Sequence, residues 1–213
     1  TLDGHRLVLT LDPPHRSLAS TLVGGGLGFV RTWLNLEVPL DYARTDPVLH
    51  LMEEGADLSP PLIATMTAAS VAQSVQASAG GAWVVATVGL SVPLAAAGSL
   101  EPAMSVGTIN IAAVLDVPLT DAGLVNAVQT LTEAKAQALA DGGLWAVNHD
   151  GPATGTATDS VLVACPEDAC GGASSFAGPA SAIGHDLALA THACMTEGLA
   201  RWRARQDERG ASR

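Results

Sequence analysis

Aromatic side chains are nearly absent from this chain: four Trp, two Phe and one Tyr make up 3% of 213 residues. That scarcity argues against an aromatic-filled sandwich and requires a core of Ala, Val, Leu and Ile, whose small volumes favour close packing of helices on sheet. Basic residues are scarce too. Ten Lys and Arg against 21 Asp and Glu give a formal charge of −11, which repels a phosphate backbone and removes the counterion-release term, so no nucleic-acid partner is expected. The terminal RWRARQDERGASR holds several of the few arginines, but Asp207 and Glu208 interrupt it and it reads as a solvated helix end. No apolar run reaches the ~18 to 20 residues of a membrane span, because the longest candidate, residues 69–98, is broken by Gln, Ser, Gly and Pro. No basic segment followed by an apolar one opens the sequence, so cytoplasm is the expected compartment. The three cysteines, Cys165, Cys170 and Cys194, fit no zinc template and are expected to be buried or incidental thiols. The six histidines contain no His-Glu-x-x-His arrangement, so no metal site is expected.

Length and patterning indicate one domain spanning 1–213, with 1–16 and 206–213 peripheral, of α+β or α/β class: a mixed β-sheet packed against long helices. HRLVLTL, residues 5–11, reads as a strand ended by Pro13 and Pro14. Gly24, Gly25 and Gly26 precede a strand-like stretch that ends at Pro39. Asp46 and Pro47 look like the cap and first residue of a short helix ending near Gly55. PLIATMTAA and AWVVATVGLS have strand length, and the segment between them is either a surface connection or a short helix. VGTINIAAVLDVPL reads as a buried strand and DSVLVAC as another. The clearest helix runs from a cap at Thr120 or Asp121 to Gly142 and Gly143, and a final helix covers GHDLALATHACMTEGLARWRARQ.

Within the first long helix, Leu124, Val128, Leu131, Ala138 and Leu139 share one apolar arc at 100° per residue, and Lys135 falls in the middle of it. A buried ammonium must snorkel out or find a carboxylate or ligand. Glu133 lies about 200° away on the same helix and faces elsewhere. The partner must come from another element: Asp159, after the hydroxyl-rich GPATGTAT run and before an apolar strand, is the leading candidate, and Asp116 the competitor. The surrounding hydroxyls of Thr154, Thr156 and Thr158 suit polar ligand groups, or a nucleophile if Lys135 supplied a neutral amine as base.

GTIN at 107–110, LTEAKAQAL at 131–139 and GTATDSVLVA at 155–164 together resemble the adenosylcobinamide amidohydrolase family. STLVGGGLGFVRTWLNLEVPLDY and ATVGLS are similar to further stretches of that family, and the resemblance extends over residues 17–205. It implies hydrolysis of the amide joining aminopropanol to the corrin ring of adenosylcobinamide, giving adenosylcobyric acid in cytoplasmic corrinoid salvage, with no separate cofactor. Homo-oligomerisation is compatible with it. The positions carried over are Gly24, Gly25, Gly26, Asn35, Gly89, Ser91, Thr108, Asn110, Glu133, Lys135, Thr156, Thr158 and Asp159. The expected catalytic set is Lys135 and Asp159, with Asn110 and backbone amides near the glycines polarising the carbonyl and Thr156 or Thr158 attacking or positioning water. Gly24, Gly25, Gly26, Asn35, Ser91, Thr108 and Glu133 are expected to bind substrate. The chain departs from the family pattern at Val92, where Asn is expected after GLS. That loss leaves open a corrinoid or small-molecule binder with altered chemistry, or a hydrolase of another amide. The loop ACPEDACGGASSFAGPA either covers a site or is plain surface.

Overall fold

The computed structural model describes residues 1–100 and 107–211. Eight strands form one mixed sheet: β1 (Leu2–Asp3), β2 (Arg6–Ala19), β3 (Gly26–Glu37), β4 (Leu62–Thr67), β5 (Val75–Ala79), β6 (Ala82–Val88), β7 (Ile109–Leu115) and β8 (Ser160–Cys165). Three helices accompany it among the described residues: α1 (Pro47–Glu54), α2 (Asp121–Asp141) and α3 (Ala182–Ala211). The strand order is β4-β3-β2-β8-β7-β6-β5, with β1 paired to β2. Only β3 with β4 and β7 with β8 are parallel; the other pairs are antiparallel.

β8 is buried on both faces, which is why SVLVAC reads as an unbroken apolar run rather than an alternation. The odd residues Ile109, Ile111, Ala113 and Leu115 of β7 face α2 and α3 in the largest core. Even residues of β7 and β8 turn the other way, where Ala112, Leu162 and Ala164 meet Trp33 and Val85. The second face is concave: the sheet twists until β3 and β4 fold back over β7 and β8, so that Asn35 on β3 reaches Thr87 on β6. α1 covers the outside of β3 and β4 through Leu51, against Leu34, Leu36 and Ala64.

Several sequence expectations change. Residues 1–16 are not peripheral: β2 occupies the middle of the sheet order, and Leu7 and Val8 are buried. Pro13 and Pro14 do not end that strand. Its register with β3 jumps from Thr10↔Thr32 to His15↔Val30, and the bulge holds both prolines where no ladder hydrogen bond is needed. Between β4 and β6 lie a single 3-10 turn, Val71–Gln73, and the edge strand β5. Asp46 precedes α1 but makes no capping hydrogen bond, because its carboxylate pairs with Arg44. Thr120 does cap α2, accepting the Gly123 N–H at 3.2 Å.

The β7-α2-β8 connection sets the height of Lys135. The chain leaves the end of β7, and α2 returns along the sheet. The fourteen residues from Asp121 to Lys135 rise about 21 Å, while the six steps from Leu115 back to Ile109 span about 20 Å. Lys135 therefore arrives level with the start of β7 and β8, where Asp159 precedes Ser160.

Candidate active site

Lys135 Nζ donates to Asp159 Oδ2 at 2.6 Å, and the two side chains are only 8% and 12% exposed. The competitor Asp116 sits at the opposite end of β7, beside Gly81. Asp159 is satisfied on every side. Oδ2 also accepts the Thr156 N–H at 3.1 Å, while Oδ1 accepts the Ile109 N–H at 3.0 Å and the Thr156 hydroxyl. Four donors hold the carboxylate in one orientation, which offsets the cost of taking the ion pair out of water.

The threonines divide. Thr156 Oγ is placed to donate either to Asp159 Oδ1 or to the Gly107 carbonyl at 2.7 Å. Thr158 Oγ instead faces the Gly107 carbonyl at 3.1 Å and Thr108 Oγ at 2.7 Å. Lys135, already donating to Asp159, is not arranged as a base for either hydroxyl; the carboxylate is the acceptor that Thr156 meets. Gly155 is the residue whose role sequence reasoning missed. A Cβ there would come within 2.7 Å of Lys135 Nζ and closer still to Asp159 Oδ2, so the ion pair occupies space that only glycine leaves open.

Under this centre lies a buried polar network. Asn110 spends both amide hydrogens, on Asn35 Oδ1 and the Met66 carbonyl, each at 2.9 Å, and its Oδ1 accepts from Ser160 Oγ at 2.8 Å. Asn35 in turn donates to Thr87 Oγ at 2.9 Å, and Thr65 Oγ lies 3.1 Å from Ser160 Oγ. Asn110 has spent both donors and, like Asn35, is fully buried, so neither presents a donor to a substrate carbonyl. They prop the floor of the site rather than line it.

Two cavities flank Asp159. One, of about 510 Å³, lies above Thr65 and Ser160, with Thr108 and Thr158 on its polar side and Leu22, Val38, Leu40, Tyr42 and Met66 among its apolar walls. The other, of about 550 Å³, contains Lys135 and Thr156 and is closed by residues 94–100. Asn148, which sequence reasoning also missed, fixes that closing segment. Its Oδ1 accepts the Ala95 N–H at 2.9 Å, and its Nδ2 donates to the Ala95 and Ser99 carbonyls, both at 3.1 Å.

The remaining expected substrate ligands lie elsewhere. Gly24, with φ +69°, packs on the Leu62 carbonyl, Gly25 packs on that of Thr21, and Gly26 opens β3. These glycines shape the turn behind Thr21 and Leu22 but line neither cavity. Ser91 is exposed outside both, and Glu133 is exposed on the solvent side of α2, where helical geometry directs it. Gly89 pairs its N–H with the Thr108 carbonyl at 3.0 Å. Val92 lines neither cavity and presents its backbone to Gly107. The 166–180 loop meets the start of α2, where Thr120 N–H donates to the Ser174 carbonyl at 3.0 Å, at the sheet end away from Asp159. Among the described residues no group of His, Cys, Asp and Glu is arranged to hold a metal, and no helix is long and apolar enough to cross a membrane.

Fold and site together define an α+β protein in which buried Lys135 pairs with half-buried Asp159 and Thr156 between two cavities. The family model described as CbiZ, adenosylcobinamide amidohydrolase, matches residues 3–207, and this chain belongs to that family. Over 67 residues the chain is also 36% identical to the uncharacterised protein MJ1613 of Methanocaldococcus jannaschii. That match covers 31% of this chain and 26% of the length of the archaeal protein.

Proposed function

We propose that the protein is an amide hydrolase that cleaves the aminopropanol amide of adenosylcobinamide, releasing adenosylcobyric acid and aminopropanol in cytoplasmic corrinoid salvage. The observation that carries this reading is the Thr156 hydroxyl resting on Asp159, whose second oxygen holds Lys135. As Thr156 Oγ adds to the amide carbonyl carbon, its proton passes to Asp159, and the Lys135 ammonium offsets the charge gathering on the carbonyl oxygen. The C–N bond then breaks, the proton moves from Asp159 to the departing nitrogen, and the acyl group remains as an ester on Thr156. Water, deprotonated by the same carboxylate, hydrolyses that ester to the acid and restores the hydroxyl.

The 2.7 Å approach of Thr156 Oγ to the Gly107 carbonyl favours a second route, in which Thr156 stays hydrogen-bonded to the backbone and Asp159 activates water directly. Thr156→Val separates the two: turnover is abolished on the first route and survives on the second. The whole reading is tested by incubating the protein with adenosylcobinamide and following aminopropanol and adenosylcobyric acid by mass spectrometry. Equimolar release, reduced about 10²-fold or more in Asp159→Asn, supports hydrolysis. Binding without release would make the protein a corrinoid binder instead. Val92, the departure that suggested such a binder, removes no side chain from either cavity.

A further inference from the structure

We propose that the two cavities receive the two halves of one amide: the acyl half above Thr65 and Ser160, and the amine half beside Lys135. This rests on the amidohydrolase reading and specifies how its substrate is seated.

Asp159 is the wall between the cavities and is open to both. Its neighbours alternate across that wall: Thr158 and Thr108 face the first cavity, Thr156 and Lys135 the second. A bond broken at this carboxylate therefore has one substituent on each side. The cavity walls decide which substituent goes where. Val38, Tyr42 and Met66 give the first cavity an apolar surface, and Leu22 and Leu40 extend it outward at 53% and 67% exposure. Sites of this volume enclose drug-sized ligands. A corrin ring is broader than about 510 Å³ can enclose, so it must overhang the mouth, where the two leucines offer apolar contact. The second cavity is lined by the short side chains of Ala95, Ala96 and Ala136 and by Leu94 and Leu100 around Lys135, with Asn148 holding its outer wall by three hydrogen bonds. Lys135, Thr132, Thr154 and Thr156 supply the polar groups that a small hydroxyalkylamine would meet there.

Two sets of exposed substitutions distinguish the cavities: Leu22→Asp with Leu40→Asp at the rim of the first, and Ala96→Trp in the second. Dissociation constants are measured by absorbance titration with adenosylcobinamide and adenosylcobyric acid, and thermal unfolding checks that each variant is folded. The rim pair is expected to weaken both ligands alike, by about tenfold or more. Ala96→Trp is expected to weaken adenosylcobinamide by about tenfold and to leave adenosylcobyric acid within about twofold. If Ala96→Trp lowers the melting temperature, Ala136→Leu takes its place. Equal weakening of both ligands by the second-cavity variant, or an unchanged acid affinity in the rim pair, overturns the assignment. Failure of the wild-type protein to bind either corrinoid overturns it together with the proposed substrate. The expected binding pattern without aminopropanol release overturns hydrolysis alone and leaves the seating intact.

Discussion

Gly155→Ala measures how tightly the Lys135 and Asp159 pair is confined. The new Cβ would stand 2.7 Å from Lys135 Nζ and nearer still to Asp159 Oδ2, whereas ordinary contact begins at 3.4 Å. Both atoms are side-chain tips, which in an open site would swing aside. Here the carboxylate is also tied to the N–H groups of Ile109 and Thr156 and to the Thr156 hydroxyl, and the lysine is buried along α2. A retreat of about 1 Å stretches the 2.6 Å ion pair beyond hydrogen-bond range. Losing a hydrogen bond between charged groups costs about 1.5 to 3 kcal/mol. Because Gly155 does not have a positive φ, the alanine returns about 0.4 to 1 kcal/mol through the unfolded chain. The net loss is about 0.5 to 2.6 kcal/mol, a fall of about 1 to 10 °C in melting temperature for a domain of this size. On the proposed reaction, misplacing the carboxylate by that distance lowers aminopropanol release by about 10²-fold. Calorimetry and the mass-spectrometric assay read the two effects. A Gly155→Ala protein with unchanged melting temperature and full turnover would refute the steric argument.

Lys135→Met leaves the half-buried Asp159 carboxylate with three of its four donors and no counter-charge, and destabilises by about 1.5 to 3 kcal/mol. Adding Asp159→Asn recovers part of that loss in urea denaturation, and a double variant no more stable than the single one would contradict the buried-charge account. Asn110→Ala strips partners from Asn35 Oδ1 and the Met66 carbonyl, while Ser160 Oγ keeps Thr65 Oγ; at about 1 to 3 kcal/mol for each group left unsatisfied, stability drops by a few kcal/mol in the same assay. Burial raises the Cys194 thiol to about 12 and raises Cys165 as well. These thiols ionise in the unfolded chain near their ordinary value of about 8.5, so their contribution is complete below that pH and is lost above it, for Cys194 as pH rises toward 12. Native alkylation with iodoacetamide should modify exposed Cys170 alone, and prompt labelling of Cys194 without unfolding would refute that burial.

The ion pair at the centre was legible because two local patterns converge. A helix of unambiguous period places Lys135 on its apolar arc, and one carboxylate sits where the next strand begins. Glu133 shows the opposite case: helical geometry already turned it from Lys135, and the exposed position agrees with that geometry rather than with the substrate-binding role implied by resemblance. What sequence could not supply depends on long-range curvature. Nothing local to Asn35 or Asn110 says that β3 will fold over β7 and use both side chains up in the interior. β5 was hidden although Val75, Ala77 and Ala79 alternate with Gln76 and Ser78, because the strand is five residues long and two of its three apolar residues are alanine, a poor strand former. The passage of β2 through two prolines depended on a bulge that only pairing with β3 reveals.

The site gathers where β7 and β8 begin, whereas ligands of parallel sheets commonly collect where strands end. Among the described residues no helix N-terminus faces Asp159 at this edge, and the positive charge comes from a side chain two-thirds of the way along α2. Helix length thereby becomes a measuring rod: one residue inserted between Thr120 and Lys135 turns the ammonium by 100° about the helix axis and withdraws it from the carboxylate. The opposite edge holds α2 as well, through Ser174 and Ala177, but residues 169–172 of its loop are exposed. That tip is the place where a tag, a fused domain or natural variation can enter this architecture without disturbing that alignment.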